Sequence, residues 1–215
     1  MAAEAPPVPR LRGRLHLATA PLALVGGLIL VFLADSPTAR IAVGVFMLTS
    51  AVLFSTSATY HIGAWVPKTK AMLRRADHSN IFLIIAGTYT PLSLLLLPPN
   101  DARTLLTVVW TGAIAGVLIR NFWLTAPRWI YVPIYVALGW AAIFYVPQFA
   151  AAGALILGLI VAGGVLYTVG AAVYALKWPQ ISPTWFGFHE MFHSFTIAAF
   201  AAHFGAVTLA VIGFA

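Results

Sequence analysis

Long apolar runs separated by short polar breaks set the pattern of this chain. A helix needs about 20 apolar residues to cross a bilayer, and seven runs reach that length. They fall at roughly 15–34, 40–64, 78–98, 103–120, 128–147, 149–176 and 189–214. The breaks hold turn-formers and charge: Asp35-Ser36-Pro37, Lys68 to Arg75, Pro98-Pro99-Asn100-Asp101, Asn121 to Pro127, Pro147-Gln148, and Trp178 to Pro183. The break at Pro147 is the weakest. Its alternative is one long kinked segment and six spans in all. The pattern predicts an all-α membrane protein with seven transmembrane helices. Residues 1–14 form an N-terminal segment and 15–215 a single seven-helix membrane domain.

Composition agrees. Of 215 residues, 61% are hydrophobic and 8% charged, against about 25% charged in a soluble domain. Such a chain cannot cover its surface with charge, so it is an integral membrane protein. The first apolar run is followed by Asp35-Ser36-Pro37 and not by a small-residue cleavage site. It reads as a first span, not a cleaved signal peptide. The chain has no Cys, which excludes disulfides and thiolate ligands, so a metal must use His, Asp or Glu.

The net charge of +7 raises nucleic acid as a partner. The placement of the charges points instead to orientation and anionic lipid, with no nucleic acid. Alternate connectors on one side collect Arg10, Arg12, Arg14, Lys68, Lys70, Arg74, Arg75, Arg120, Arg128 and Lys177. The other side has Arg40 and Arg103. The basic side is expected to be cytoplasmic, so the N-terminus lies inside and, after seven spans, the C-terminus outside. Six spans would move Lys177 to the outer side. Trp65, Trp123, Trp129, Tyr131, Trp178 and Trp185 near span ends suit interfacial belts. Gly112 and Gly116 suit close packing of the fourth span, within one chain or between chains.

The polar residues of the spans gather at one level. Span two runs inward and ends near His61. Spans three and seven start inside, at Asp77-His78 and at His189-Glu190. Topology alone thus gathers His61, Asp77, His78, His189, Glu190 and His193, with His16 at the inner start of span one. Ser57 precedes His61 by four residues and shares its helix face. His203 sits deeper, toward the outer half of its span. A lone interfacial His is ordinarily an amphipathic tip, a lone Ser bonds its own helix, and a lone Asp77 would cap a helix facing Arg74 or Arg75. The convergence is what points to a site.

Three His and a water form a recurrent catalytic Zn²⁺ site, and His61, His189 and His193 can supply three nitrogens. Zinc would bring the pKa of bound water to about 7 and polarise a carbonyl. Asp77 is then a fourth ligand, the partner of that water, or the general base. Ser57 would orient His61, bind the water or stabilise an oxyanion. The string His189-Glu190-Met191-Phe192-His193 has the H-E-x-x-H form in which Glu is the base of soluble metalloproteases. Glu190 therefore competes with Asp77, unless it faces lipid headgroups or pairs with Lys177.

These pieces, in order, resemble the hemolysin III family: Ser57-Ala-Thr-Tyr-His61, Arg74-Arg75-Ala76-Asp77-His78-Ser79, Ala86-Gly87-Thr88-Tyr89-Thr90-Pro91 and His189-Glu-Met-Phe-His193. This is the bacterial branch of the progestin and adipoQ receptor (PAQR) proteins, and the resemblance runs from about Arg12 to the end. It implies seven helices with an internal N-terminus, a multi-pass protein of the cell membrane (the inner membrane of a bacterium), and zinc held by His61, His189 and His193. The wider superfamily includes alkaline ceramidases, which hydrolyse lipid amides; there the positions matching Asp77 and Ser57 lie near the zinc-bound water. Many relatives carry a Glu and an Asn ahead of an N-terminal His. Here the stretch reads Arg12-Gly-Arg-Leu-His16, without either.

Three functions follow as expectations. The first is a zinc-dependent hydrolase of a lipid amide or ester, with an acyl-lipid substrate between the helices. The second is a receptor-like or structural metalloprotein in which zinc braces spans two and seven. The third is a cytolysin, which the uniformly apolar spans argue against, because a secreted toxin needs soluble, amphipathic, insertable segments.

Overall fold

The computed structural model describes residues 8–123 and 128–213. Those residues form helices and turns with no strand. Seven helical segments are long and apolar enough to cross a membrane. They are α1 (Arg14–Leu33), α2 (Pro37–Ile62), α3 (Pro67–Leu96), α4 (Pro99–Phe122), a broken fifth span, α7 (Ala154–Leu176) and α8 (Phe188–Val211). The fifth span consists of α5 (Arg128–Gly139), a 3₁₀ turn (Ala141–Tyr145) and α6 (Val146–Ala152).

Proline in the first turn starts α2, α3 and α4, where its missing N–H costs no helical bond. Ser36 caps α2 by accepting from Ala39 N–H at 3.1 Å. Antiparallel neighbours α1–α2, α2–α3, α3–α4 and α7–α8 pack closely, and α8 returns to touch α1 and α3. Buried Phe46, Phe54, Phe82, Phe149 and Leu92 fill the interior.

Three expectations change. The Lys68 to Arg75 segment is not a connector but the start of α3, which has 30 residues. That is about 45 Å of helix against a hydrocarbon core of about 30 Å, so exposed Lys68, Lys70 and Arg74 ride on helix projecting beyond the apolar layer. Pro147 does not divide spans five and six; it lies in the first turn of α6. The corner is Gly153, at φ 141°, a conformation that a Cβ makes costly. The fifth span breaks instead at Gly139–Tyr145, and α3 supplies the repair. The Tyr89 hydroxyl donates to Gly139 C=O at 2.6 Å and accepts from Ala142 N–H at 2.9 Å. Backbone that leaves a helix at membrane depth survives only where protein groups satisfy it in this way.

Third, two residues assigned to the interface lie inside. Arg120 and Tyr131 are buried, with the guanidinium 4.7 Å from the centroid of the Tyr131 ring. Gly116 lies beneath the Phe82 ring and Gly112 beside Leu138, so both serve packing within the chain. The side chain of Trp129 is outside the described residues.

Candidate metal centre

Ring chemistry converges at the end of the bundle that carries the N-terminus. His61 lies in the last turn of α2. His189 and His193 lie one turn apart at the start of α8, on one face by their spacing. The His61 and His189 Nε2 atoms are 3.1 Å apart. One nitrogen from each of His61, His189 and His193 falls within 4.8 Å of the others. Two imidazoles on a tetrahedral zinc, each at about 2.0–2.1 Å, would stand roughly 3.3 Å apart. The donor set and the His61–His189 spacing fit such an ion.

Asp77 and Ser57 stand beside this cluster. The Ser57 hydroxyl is placed to donate to the Asp77 carboxylate. His78 lines the same cavity but is not one of the three clustered imidazoles. Its Nδ1 donates to Arg74 C=O at 2.8 Å, its Nε2 faces the Tyr174 hydroxyl at 3.5 Å, and its own C=O accepts from Tyr135 at 2.9 Å. His16 is buried and stacks on His193 with ring centroids 3.9 Å apart.

Glu190 sits one residue from the cluster but has both oxygens engaged. One accepts from the Arg12 guanidinium. The other accepts from Gly187 N–H at 2.8 Å, capping the first turn of α8. Of the two candidate bases, Glu190 is held by the Arg12 guanidinium, whereas Asp77 has the Ser57 hydroxyl and, at 3.6 Å, His78 Nδ1 as neighbours. Arg12 belongs to a short strap whose backbone joins the loop before α8: Arg10 N–H donates to Thr184 C=O at 2.9 Å and Leu11 N–H to Trp185 C=O at 3.3 Å. Gly13 ends the strap at φ 76°, where a Cβ would stand 2.8 Å from His61 Cβ. The strap is thereby pressed against the end of α2.

A profile of the haemolysin-III related family matches residues 6–204. The chain belongs to this family. The hemolysin-3 homolog of Bacillus subtilis (strain 168) is 33% identical over 161 residues, covering 74% of this chain and 72% of that protein. Hemolysin-3 of Bacillus cereus is 32% identical over 147 residues, 68% of this chain and 64% of the relative. Like other haemolysin-III related proteins, it is a multi-pass protein of the cell membrane.

In this haemolysin-III related chain the cluster opens onto a long apolar cavity. Ser57, Asp77, His189 and His193 line one end, and Leu92, Phe149, Leu157 and Val146 the other. On α3 the lining runs from Asp77 to Leu92, about 22 Å at 1.5 Å per residue. That exceeds the roughly 15 Å depth of one leaflet's hydrocarbon.

Sequence reasoning missed two partners. Tyr174 stands with its ring 5.9 Å from that of His189. It lies at the inner end of α7, the level of the imidazoles, and that was its available signal. The Arg12–Glu190 pair had none, because 178 residues separate its members.

Proposed function

We propose that this protein is a zinc-dependent membrane hydrolase that cleaves an amide or ester bond of an acyl lipid. The observation that carries this reading is the meeting of three imidazole nitrogens, beside a Ser57–Asp77 pair, at one end of an apolar cavity. Exposed Arg10, Arg14, Lys68, Lys70, Arg74 and Lys177 at the same end support a cytoplasmic orientation for it.

His61, His189 and His193 would hold the ion, leaving one position open, as catalytic sites do. Zinc bound there supplies Lewis acidity and a water nucleophilic near neutral pH. The rest falls to the chain. The cavity takes the acyl tail, strips it of water and sets the scissile carbonyl at the imidazole end. Asp77 accepts the proton of the attacking water at a carboxylate oxygen and returns it to the leaving nitrogen or oxygen. Ser57 fixes the carboxylate for that exchange. The products are a fatty acid and an amine or alcohol. Release of acyl products into the bilayer accommodates the relatives' names without a pore.

Metal analysis of the purified protein, followed by hydrolysis assays over a panel of N-acyl lipids and acyl esters, tests the reading. We expect about one zinc per chain, lost in His61→Ala. Asp77→Ala should keep the zinc and lose turnover. A zinc-free wild type would sink the centre. Zinc lost in Asp77→Ala would make Asp77 a fourth ligand and favour a closed, bracing site.

A further inference from the structure

The apolar cavity carries a second polar spot, far from the imidazole cluster. His203 follows His193 by ten residues on α8, about 15 Å along the axis. An ionisable side chain at that depth is costly and asks for a function. His203 lines the cavity. Its Nε2 lies 3.2 Å from Ile160 C=O. A carbonyl only accepts, so Nε2 carries the hydrogen and Nδ1 is left as the acceptor. Nδ1 is buried and has no hydrogen-bond partner among the described residues. The ring is housed against the backbone of α7, where a Cβ on Gly163 would collide with Nε2.

Beside it stands Tyr167, with ring centroids 5.7 Å apart. Tyr167 also lines the cavity, and its hydroxyl has no hydrogen-bond partner among the described residues. The threonine hydroxyls of the lining are already engaged. Thr168 donates to Gly164 C=O at 2.8 Å and accepts from Trp140 Nε1 at 2.9 Å. Thr88 and Thr196 donate to Ile84 and Phe192 C=O. The spot thus offers one acceptor and one hydroxyl on neighbouring rings, with nothing among the described residues to satisfy them.

A methylene satisfies neither group. A carbonyl oxygen satisfies Tyr167 alone. A hydroxyl donates to His203 Nδ1 and accepts from Tyr167. We propose that His203 and Tyr167 form an acyl-chain subsite that selects a lipid hydroxylated near the middle of its chain. An extended chain advances about 1.2 Å per bond, so the hydroxyl sits about twelve bonds from the group held at the imidazoles. The proposal rests on the reading of the cavity as an acyl-lipid site, but needs neither turnover nor a bound metal.

Equilibrium binding of stearate, 2-hydroxystearate and 12-hydroxystearate to the full chain in detergent micelles tests it. We expect 12-hydroxystearate to bind about tenfold more tightly than stearate, with no such gain for 2-hydroxystearate. In Tyr167→Phe and His203→Leu that preference should shrink to about twofold or less. Unchanged stearate affinity in the same variants would show the cavity intact. Equal wild-type affinity for stearate and 12-hydroxystearate would overturn the subsite alone, as would a full preference surviving in both variants. If none of the three acids binds, the acyl-lipid reading falls together with the subsite.

Discussion

The imidazole of His16 lies flat on that of His193, with centroids 3.9 Å apart and planes 5° from parallel. Lone pairs of imidazole nitrogens lie in the ring plane, and parallel planes do not meet. His16 therefore cannot share an ion with His193 in this arrangement. Both His16 nitrogens are buried without a partner among the described residues, and Phe54 packs edge-on at 5.1 Å. The ring acts as a plate that holds His193 in place. His16→Phe should keep the plate and leave zinc affinity within about threefold, whereas His16→Ala should weaken it about tenfold or more, the scale of lost outer support. Competition with a chromophoric chelator measures both. An equal loss in the two variants would mean that a His16 nitrogen matters after all.

Arg12 and Glu190 couple the strap to α8. Glu190 is 1% exposed and the Arg12 side chain 22%. Removing one partner of a buried pair costs about 3–5 kcal/mol, and the partial exposure of Arg12 lowers that toward about 2–3. Arg12→Met should therefore lower the thermal unfolding midpoint in micelles clearly, because it leaves the Glu190 carboxylate buried and unpaired, with Glu190→Gln less damaging because the partly exposed Arg12 can turn to solvent. Zinc content should persist in both. A Glu190→Gln protein with wild-type stability and no turnover would return the base role to Glu190.

The seven spans and the level of the imidazoles were legible because both follow from apolar length and alternating direction. Spans two, three and seven must bring His61, Asp77 and His189 to one end, whatever their packing. The face each helix turns inward was not legible. Arg120 counts as a connector charge by position, yet its side chain folds back over Tyr131 on another span. The break in the fifth span was hidden for a similar reason. Pro147 is the visible breaker, but a proline is harmless in a first turn, while the groups that stabilise the true break come from Tyr89, about 50 residues earlier. The role of Glu190 depended on a partner at the far end of the chain. Glu190 also stands three residues after Gly187, the spacing at which an acid caps a helix start.

Tyr89 gives the fold its sharpest single-atom test. Its hydroxyl serves both Gly139 C=O and Ala142 N–H at the break. Tyr89→Phe preserves the ring and strands two backbone groups in an apolar setting. The expected loss is about 2–6 kcal/mol, at about 1–3 for each group. Thermal unfolding reads the total, and hydrogen exchange at Ala142 should accelerate ahead of global unfolding. No change at Ala142 would mean that the break is held by the Trp140–Thr168 bond instead.

Ser57 bears on the chemistry through Asp77. A second polar neighbour of that carboxylate, His78 Nδ1, lies at 3.6 Å, beyond a hydrogen bond and already donating to Arg74 C=O. Ser57 is placed to donate to that carboxylate and so to bias which way the Asp77 oxygens point. If Asp77 relays the proton in hydrolysis, Ser57→Ala should lower kcat about 10–100-fold, the effect of losing a positioning partner. Substrate KM should hardly move, since the cavity that takes the tail is untouched. Zinc content should stay at the wild-type level, because Ser57 touches none of the three nitrogens' rings through a hydrogen bond among the described residues. Ser57→Thr keeps the hydroxyl and should recover most of the rate. A Ser57→Ala protein that loses zinc would instead place Ser57 in support of His61, the neighbour one turn along α2.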